Sequence, residues 1–135
     1  MKLEEFNKFL KNESSLADAA IERSRDALCV RDRAEFEKAV PEIIWHKFLL
    51  QEKPKPEDDI TELAMISTKR TLMLAEGNLA LADISAGCLE ADTTDTKKIL
   101  LILMLKRRLG VAIQPEMTAE IETVSQLCEK LYELY

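Results

Sequence analysis

The stretch that decides the fold is Thr93 to Tyr135, TTDTKKILLILMLKRRLGVAIQPEMTAEIETVSQLCEKLYELY. Seven apolar residues, Ile99 to Leu105, run through it without a break. They cover every direction around a helix, and a helix that is apolar all round is buried on all sides. The run predicts the central and most buried helix of the molecule. It is far shorter than the roughly 20 residues a membrane crossing needs. Lys97 and Lys98 precede it and Lys106, Arg107 and Arg108 follow, so both ends are expected to reach water. Thr94 or Asp95 can cap the start, because a side-chain oxygen there accepts from free backbone N–H groups. Gly110 can adopt the left-handed conformation that ends a helix. The cations at 106–108 then face the negative end of the helix dipole.

Beyond Gly110, Val111 and Ile113 alternate with Ala112 and Gln114, as in an extended segment that turns two apolar side chains inward. Pro115 lacks the N–H a regular ladder needs. Thr123 is placed to cap a last helix. In that helix Val124, Leu127, Cys128, Leu131 and Leu134 recur at helical spacing, with Glu129, Lys130 and Glu133 opposite.

These residues, LKRRLGVAIQPEMTAEIETVSQLCEKL, resemble the second half of acyl carrier proteins. In that family a long helix ends near a glycine. A loop with a spaced Ile and Glu follows, then a short third helix, then a Thr-Val opening to the last helix. The matching residues are Leu109, Gly110, Ile113, Glu116, Ile121, Thr123, Val124 and Leu127. The resemblance covers about forty residues, roughly 92–135, and it implies a carrier-like helical bundle over 58–135. Carrier proteins attach phosphopantetheine to a serine in an Asp-Ser-Leu triplet at the start of the long helix. Counted back from Leu109 without a gap, the triplet falls on Thr94, Asp95 and Thr96, with the degenerate attachment position at Asp95. A two-residue shift places Thr93 there instead, and the nearest upstream serine, Ser85, lies ten residues too early. A carboxylate cannot form the phosphodiester, so the expectation is no cofactor. The family's long helix is acidic and docks on basic enzymes. Here Lys97, Lys98, Lys106, Arg107 and Arg108 make it basic, which points to a protein partner with an acidic surface.

The remaining 92 residues support an all-α chain, a compact bundle of about six helices. Glycine and proline number only three and four, while 47% of the residues are hydrophobic. Leu3, Phe6, Phe9 and Leu10 suggest a short first helix, and Ser14 or Ser15 a cap for the next, which buries Ala17, Ala20, Ile21, Ala27 and Leu28. Asp32 with Glu35 signals another start, followed by Phe36, Val40, Ile43, Ile44 and Phe48. Pro41 either kinks this helix or sits in the first turn of a new one. QEKPKPEDD, 51–59, is the clearest break, an interdomain linker or a surface loop. It divides an N-terminal helical segment, 1–57, from 58–135, and the apolar content of 1–57 predicts that the segment packs on the rest. From Asp58 or Asp59 a helix presents Ile60, Leu63, Ala64, Ser67, Thr71, Leu74 and Ala75. Gly77 ends or bends it, and Asn78 can cap a continuation.

The net charge of −6 speaks against nucleic acid or anionic membranes as general partners. Charge is uneven: residues 94–110 carry five Lys/Arg and one acid, a net +4, between acidic flanks. The simplest reading is a basic helix set among acidic neighbours inside the fold; a basic docking patch is the other. The start, MKLEEFNKFLKNE, has no apolar core of a secretory leader, and Cys29, Cys88 and Cys128 are widely spaced, so buried thiols in the cytoplasm are expected. One histidine, His46, and no metal or nucleotide motif leave neither a metal site nor a catalytic constellation, and no enzyme is expected. Two readings follow from different classes. One is a non-catalytic carrier-like module acting through protein–protein contacts. The other is a helical scaffold or homo-oligomerisation protein unrelated to carriers.

Overall fold

The computed structural model describes residues 3–75 and 93–135. Among them are six helices and no strand, which establishes the all-α class. The expected bend at Gly77, the continuation from Asn78, and Ser85 and Cys88 lie outside the described residues.

Helix α1, Leu3–Cys29, is a single element of 27 residues. The break expected at Ser14 or Ser15 does not occur. No glycine or proline interrupts this span, and serine costs a helix only a few tenths of a kcal/mol relative to alanine. Ala17, Ala20, Ile21, Ser24, Ala27 and Leu28 share one buried face after the would-be junction, Phe6 is buried near the start, and half-buried Glu13 meets His46 of α2 just ahead of the junction. Ser24 is buried with its hydroxyl donating to the Ile21 carbonyl (2.7 Å).

Arg31, at φ 57°, turns the chain. Helix α2, Arg33–Lys47, then starts as its sequence indicates, with Asp32 accepting from the Glu35 N–H (3.2 Å). Pro41 lies inside this helix with its ring buried. The end of α2 is closed by two hydrogen bonds: Leu50 N donates to the Trp45 carbonyl, and Trp45 Nε1 donates to the Leu50 carbonyl (both 2.9 Å).

Residues 51–59 form a loop tied to the body by a buried Pro54 and by backbone pairing with the chain ahead of the last helix. Ser125 N donates to Pro56 O (2.8 Å), Val124 N to Asp58 O (3.0 Å) and Ile60 N to Glu122 O (2.8 Å). Helix α3, Ile60–Ala75, follows, with Asp59 accepting from Glu62 N (3.1 Å). Ile60, Leu63, Ala64 and Ser67 form its buried face.

Helix α4, Thr93–Leu109, ends at Gly110, whose φ of +69° favours a residue without Cβ. Val111 and Ile113 are buried while Ala112 and Gln114 are exposed, as the alternation predicts. One turn, α5 (Met117–Glu120), leads to α6, Val124–Leu134. A capping box opens α6: Gln126 N donates to Thr123 Oγ1 (3.2 Å), and Gln126 Oε1 accepts from Thr123 N (3.1 Å). Helix α1 packs along α2, α3 along α4, α6 against α2, and the C-terminal part of α4 against α1. One continuous core joins α1, α2, α3, α4 and α6.

The central run corrects the sequence expectation. Leu101, Ile102 and Leu105 are buried, but Ile99, Leu100 and Leu103 are 42%, 59% and 42% exposed. The two sets diverge in urea denaturation. Leu105→Ala or Ile102→Ala should cost about 2–5 kcal/mol, as large-to-small core changes do. Leu103→Ala should stay within about 1 kcal/mol, because the side chain is already partly in water. Equal losses at positions 105 and 103 would show that α4 is enclosed on every side.

Candidate functional site

Helix α4 carries the degenerate attachment position Asp95, its threonine neighbours and the five basic residues. It begins at Thr93, so Thr94 and Asp95 lie within its first turn rather than at the cap. An acid in the first turn is favourable against the positive helix end. The side chains of Thr93, Thr94 and Asp95 are outside the described part of the structure, and Thr96 is exposed.

The five cations go to different places. Lys97 lies between α3 and α4, its Nζ donating to Oγ of the buried Ser67 (2.8 Å). Arg108 reaches α1, 3.3 Å from Asp18 and 3.9 Å from Glu22. Lys98 and Lys106 are half-buried, and Arg107 is exposed. Among the described residues, the acids that meet this basic helix are Asp18 and Glu22 of α1, far away in sequence.

Beside α4 lies an open cleft of about 270 Å3, lined by Lys47, Phe48, Lys97, Leu100, Leu101 and Met104. Positions 97, 100, 101 and 104 form one face of α4, because residues three and four apart are neighbours on a helix. The other wall is the end of α2. The cleft lining is mostly apolar, with Lys47 on the α2 wall and the stem of Lys97, whose ammonium is held by Ser67, on the α4 wall. The sequence gives no hint of this cleft, since Lys47 and Lys97 are fifty residues apart.

The remaining polar contacts tie elements together. His46 Nδ1 is 2.7 Å from Glu13 Oε2, joining α2 to α1, and the His46 ring stacks on Trp45 with centroids 4.6 Å apart. Arg31 lies over the Tyr132 ring, 4.2 Å from its centroid. Cys29 does not meet the expectation of a buried thiol: it is exposed, with Sγ 3.2 Å from the Tyr135 hydroxyl. Cys128 is buried, and burial pushes its thiol up to about 12. Among the described residues no cluster of His, Cys, Asp and Glu could hold a metal ion, and no helix is long and apolar enough to cross a membrane.

Comparison with known proteins returns nothing: no family model, no curated protein and no solved structure matches this chain.

The Cys128 environment sets an alkaline instability. The folded chain keeps the thiol proton up to about pH 12, whereas the unfolded chain releases it above its ordinary value. Between those pH values the native state binds more protons than the unfolded state, so stability falls as pH rises. Thermal melts from pH 8 to 11 should show a smaller decline for Cys128→Ala than for the unaltered chain. Parallel declines would mean that the thiol is not held protonated by burial.

Proposed function

We propose that the chain is a non-catalytic, acyl-carrier-protein-like module without a prosthetic group, acting in the cytoplasm through protein–protein contacts. The observation that carries this reading is the exposed aliphatic face of α4. In the family that α4 resembles, the corresponding long helix is the surface that docks on partner enzymes. Here it carries Ile99, Leu100 and Leu103 outward while its other side builds the core. The order of elements supports the same reading. A long helix ends at Gly110 in the left-handed conformation, a loop buries Ile113, a single helical turn follows, and Thr123 caps a last helix that begins at Val124. Asp95 at the ungapped attachment position supplies an anionic side chain that repels an incoming phosphate.

A second reading, a helical scaffold or homo-oligomer unrelated to carriers, is favoured by a separate observation. Helix α3 also leaves large apolar side chains in solvent, at Met65, Ile66 and Met73.

The test is intact-mass spectrometry after incubation with a broad-specificity phosphopantetheinyl transferase, with an authentic carrier protein as the positive control. The unaltered chain should keep its mass. A double variant, Asp95→Ser with Thr96→Leu, should gain the mass of the arm if the site is a lapsed carrier site. A mass gain by the unaltered chain would overturn the reading.

A further inference from the structure

The two sides of α4 differ in kind. Leu101, Ile102, Leu105 and Leu109 face the core. On the opposite side Ile99, Leu103 and Arg107 follow one another a turn apart, with Leu100 alongside. Where Leu100 turns toward α2 it enters the 270 Å3 cleft against Phe48 and Met104. Cofactor- and substrate-sized ligands occupy about 300–1,000 Å3 and are mostly enclosed. An open cleft below that range is on the scale of a large side chain that anchors a partner.

Charge selects the partner. The sequence has no Asp or Glu from Thr96 to Pro115. Lys47 and Lys97 stand at the cleft, and Lys106 and Arg107 close the far end of the aliphatic row. Arg108 is on the side facing α1 and is neutralised there by Asp18 and Glu22. The exposed row is thus apolar from Ile99 to Leu103, with Asp95 one turn ahead of it and the cations Lys106 and Arg107 at its C-terminal end.

A second copy docked α4 to α4 in parallel would bring cations of one sign together, and like charges across an interface oppose association. An antiparallel pair would instead set the Asp95 end of one helix against the Arg107 end of the other, so self-association is a separate outcome of the test below. An anionic membrane matches the local charge, but it is an extended surface that also meets the acidic remainder of a chain carrying −6 at close range, whereas a single helix meets α4 alone. A helix whose own apolar stripe is flanked by carboxylates matches both the row and its rim.

We propose that the outer face of α4 is the docking site for an acidic amphipathic helix of a partner protein. An apolar anchor of that helix enters the cleft beside Phe48 and Leu100, and its carboxylates face Lys47, Lys106 and Arg107. The proposal rests on the contact function stated above and names the chemistry of the partner.

The probe is a labelled synthetic helix of about 18 residues with leucines at i, i+3, i+4 and i+7 (one replaced by phenylalanine) and glutamates on both flanks. Its twin has lysines in place of the glutamates. Fluorescence anisotropy at physiological salt should show saturable binding of the glutamate helix and none of the lysine helix. Leu103→Asp should weaken binding by about tenfold or more, the scale of an interface anchor. Arg107→Glu should weaken the glutamate helix and strengthen the lysine helix. Both side chains are at the surface, and unchanged circular dichroism and urea midpoints confirm that the variants are folded.

Four results would overturn the proposal. They are equal binding of the two helices, no saturable binding, self-association abolished by Leu103→Asp, and binding to phosphatidylglycerol vesicles abolished by Leu103→Asp in the absence of peptide binding. The carrier-like reading fails on a different result, a mass gain by the unaltered chain in the transferase assay.

Discussion

Two helices of this protein begin side by side, and three backbone hydrogen bonds hold them there. The N–H of Ile60, at the start of α3, is satisfied by the Glu122 carbonyl, while those of Val124 and Ser125, at the start of α6, are satisfied by Asp58 and Pro56. The first turn of any helix leaves such donors without intrahelical partners. Here each segment supplies acceptors to the other, and Asp59 and Thr123 oppose one another in an antiparallel bridge. Two positive helix ends in proximity would repel, but Asp58, Asp59, Glu62 and Glu122 supply negative charge at the junction. This clip joins the loop 51–59 to the C-terminal half. The register of α3, and through it α4, depends on it.

A second set of contacts fixes α1 and α2 on that frame. The turn at Arg31 meets the end of α6, where Tyr132 donates its hydroxyl to the Arg31 carbonyl (3.0 Å) and Arg31 Nη1 donates back to the Tyr132 carbonyl (3.3 Å). The guanidinium lies over the ring, and Phe36 packs on it from α2 with centroids 6.1 Å apart. Farther along, Glu13 and His46 close the α1–α2 interface, both more than four-fifths buried, so the pair is screened less than an exposed one. Arg23 pairs with Glu42 across the same interface. The aromatic content is low, and much of it stands at these junctions: Phe36, Trp45 and Tyr132.

Local signals in the sequence are those that depend on neighbours a few residues away, and those carry over directly. Asp32 and Thr123 cap where their spacing to Glu35 and Gln126 places them, and Gly110 ends α4. The alternation of Val111 and Ile113 also holds. What fails is whatever depends on how many partners a helix finds. A run of seven apolar residues sets no direction, and α4 meets its packing partners on one side, so Ile99, Leu100 and Leu103 are left out. Ser14 and Ser15 are good caps in isolation, but no glycine or proline breaks the chain beside them, and α1 is held to α2 on both sides of them, by Glu13 on His46 and by the buried face from Ala17 to Leu28. The candidate site shows the same division. Its basic residues are legible, yet nothing near them in the sequence indicates that Arg108 would be taken by α1 or that Lys47 would stand opposite Lys97.

The charge of the whole molecule and that of α4 have opposite signs, and distance decides which one a partner meets. At physiological ionic strength the screening length is about 8 Å. Beyond it, a net charge of −6 has little reach, and an approaching acidic helix is not repelled from afar. Within it, the charges flanking the row on α4 are Arg107 and Lys106 at one end and Asp95 at the other, while Glu22 and Asp18 stand on the α1 side beside Arg108. Removing salt lengthens the range of both fields and lets the distant acids count against association. The contact proposed for α4 is therefore short-ranged. Its affinity comes from covering Ile99, Leu100 and Leu103, each already partly in water, and the cations set which helix is admitted. That division of labour lets one helix build the core with one side and offer a partner an aliphatic row with a basic end on the other.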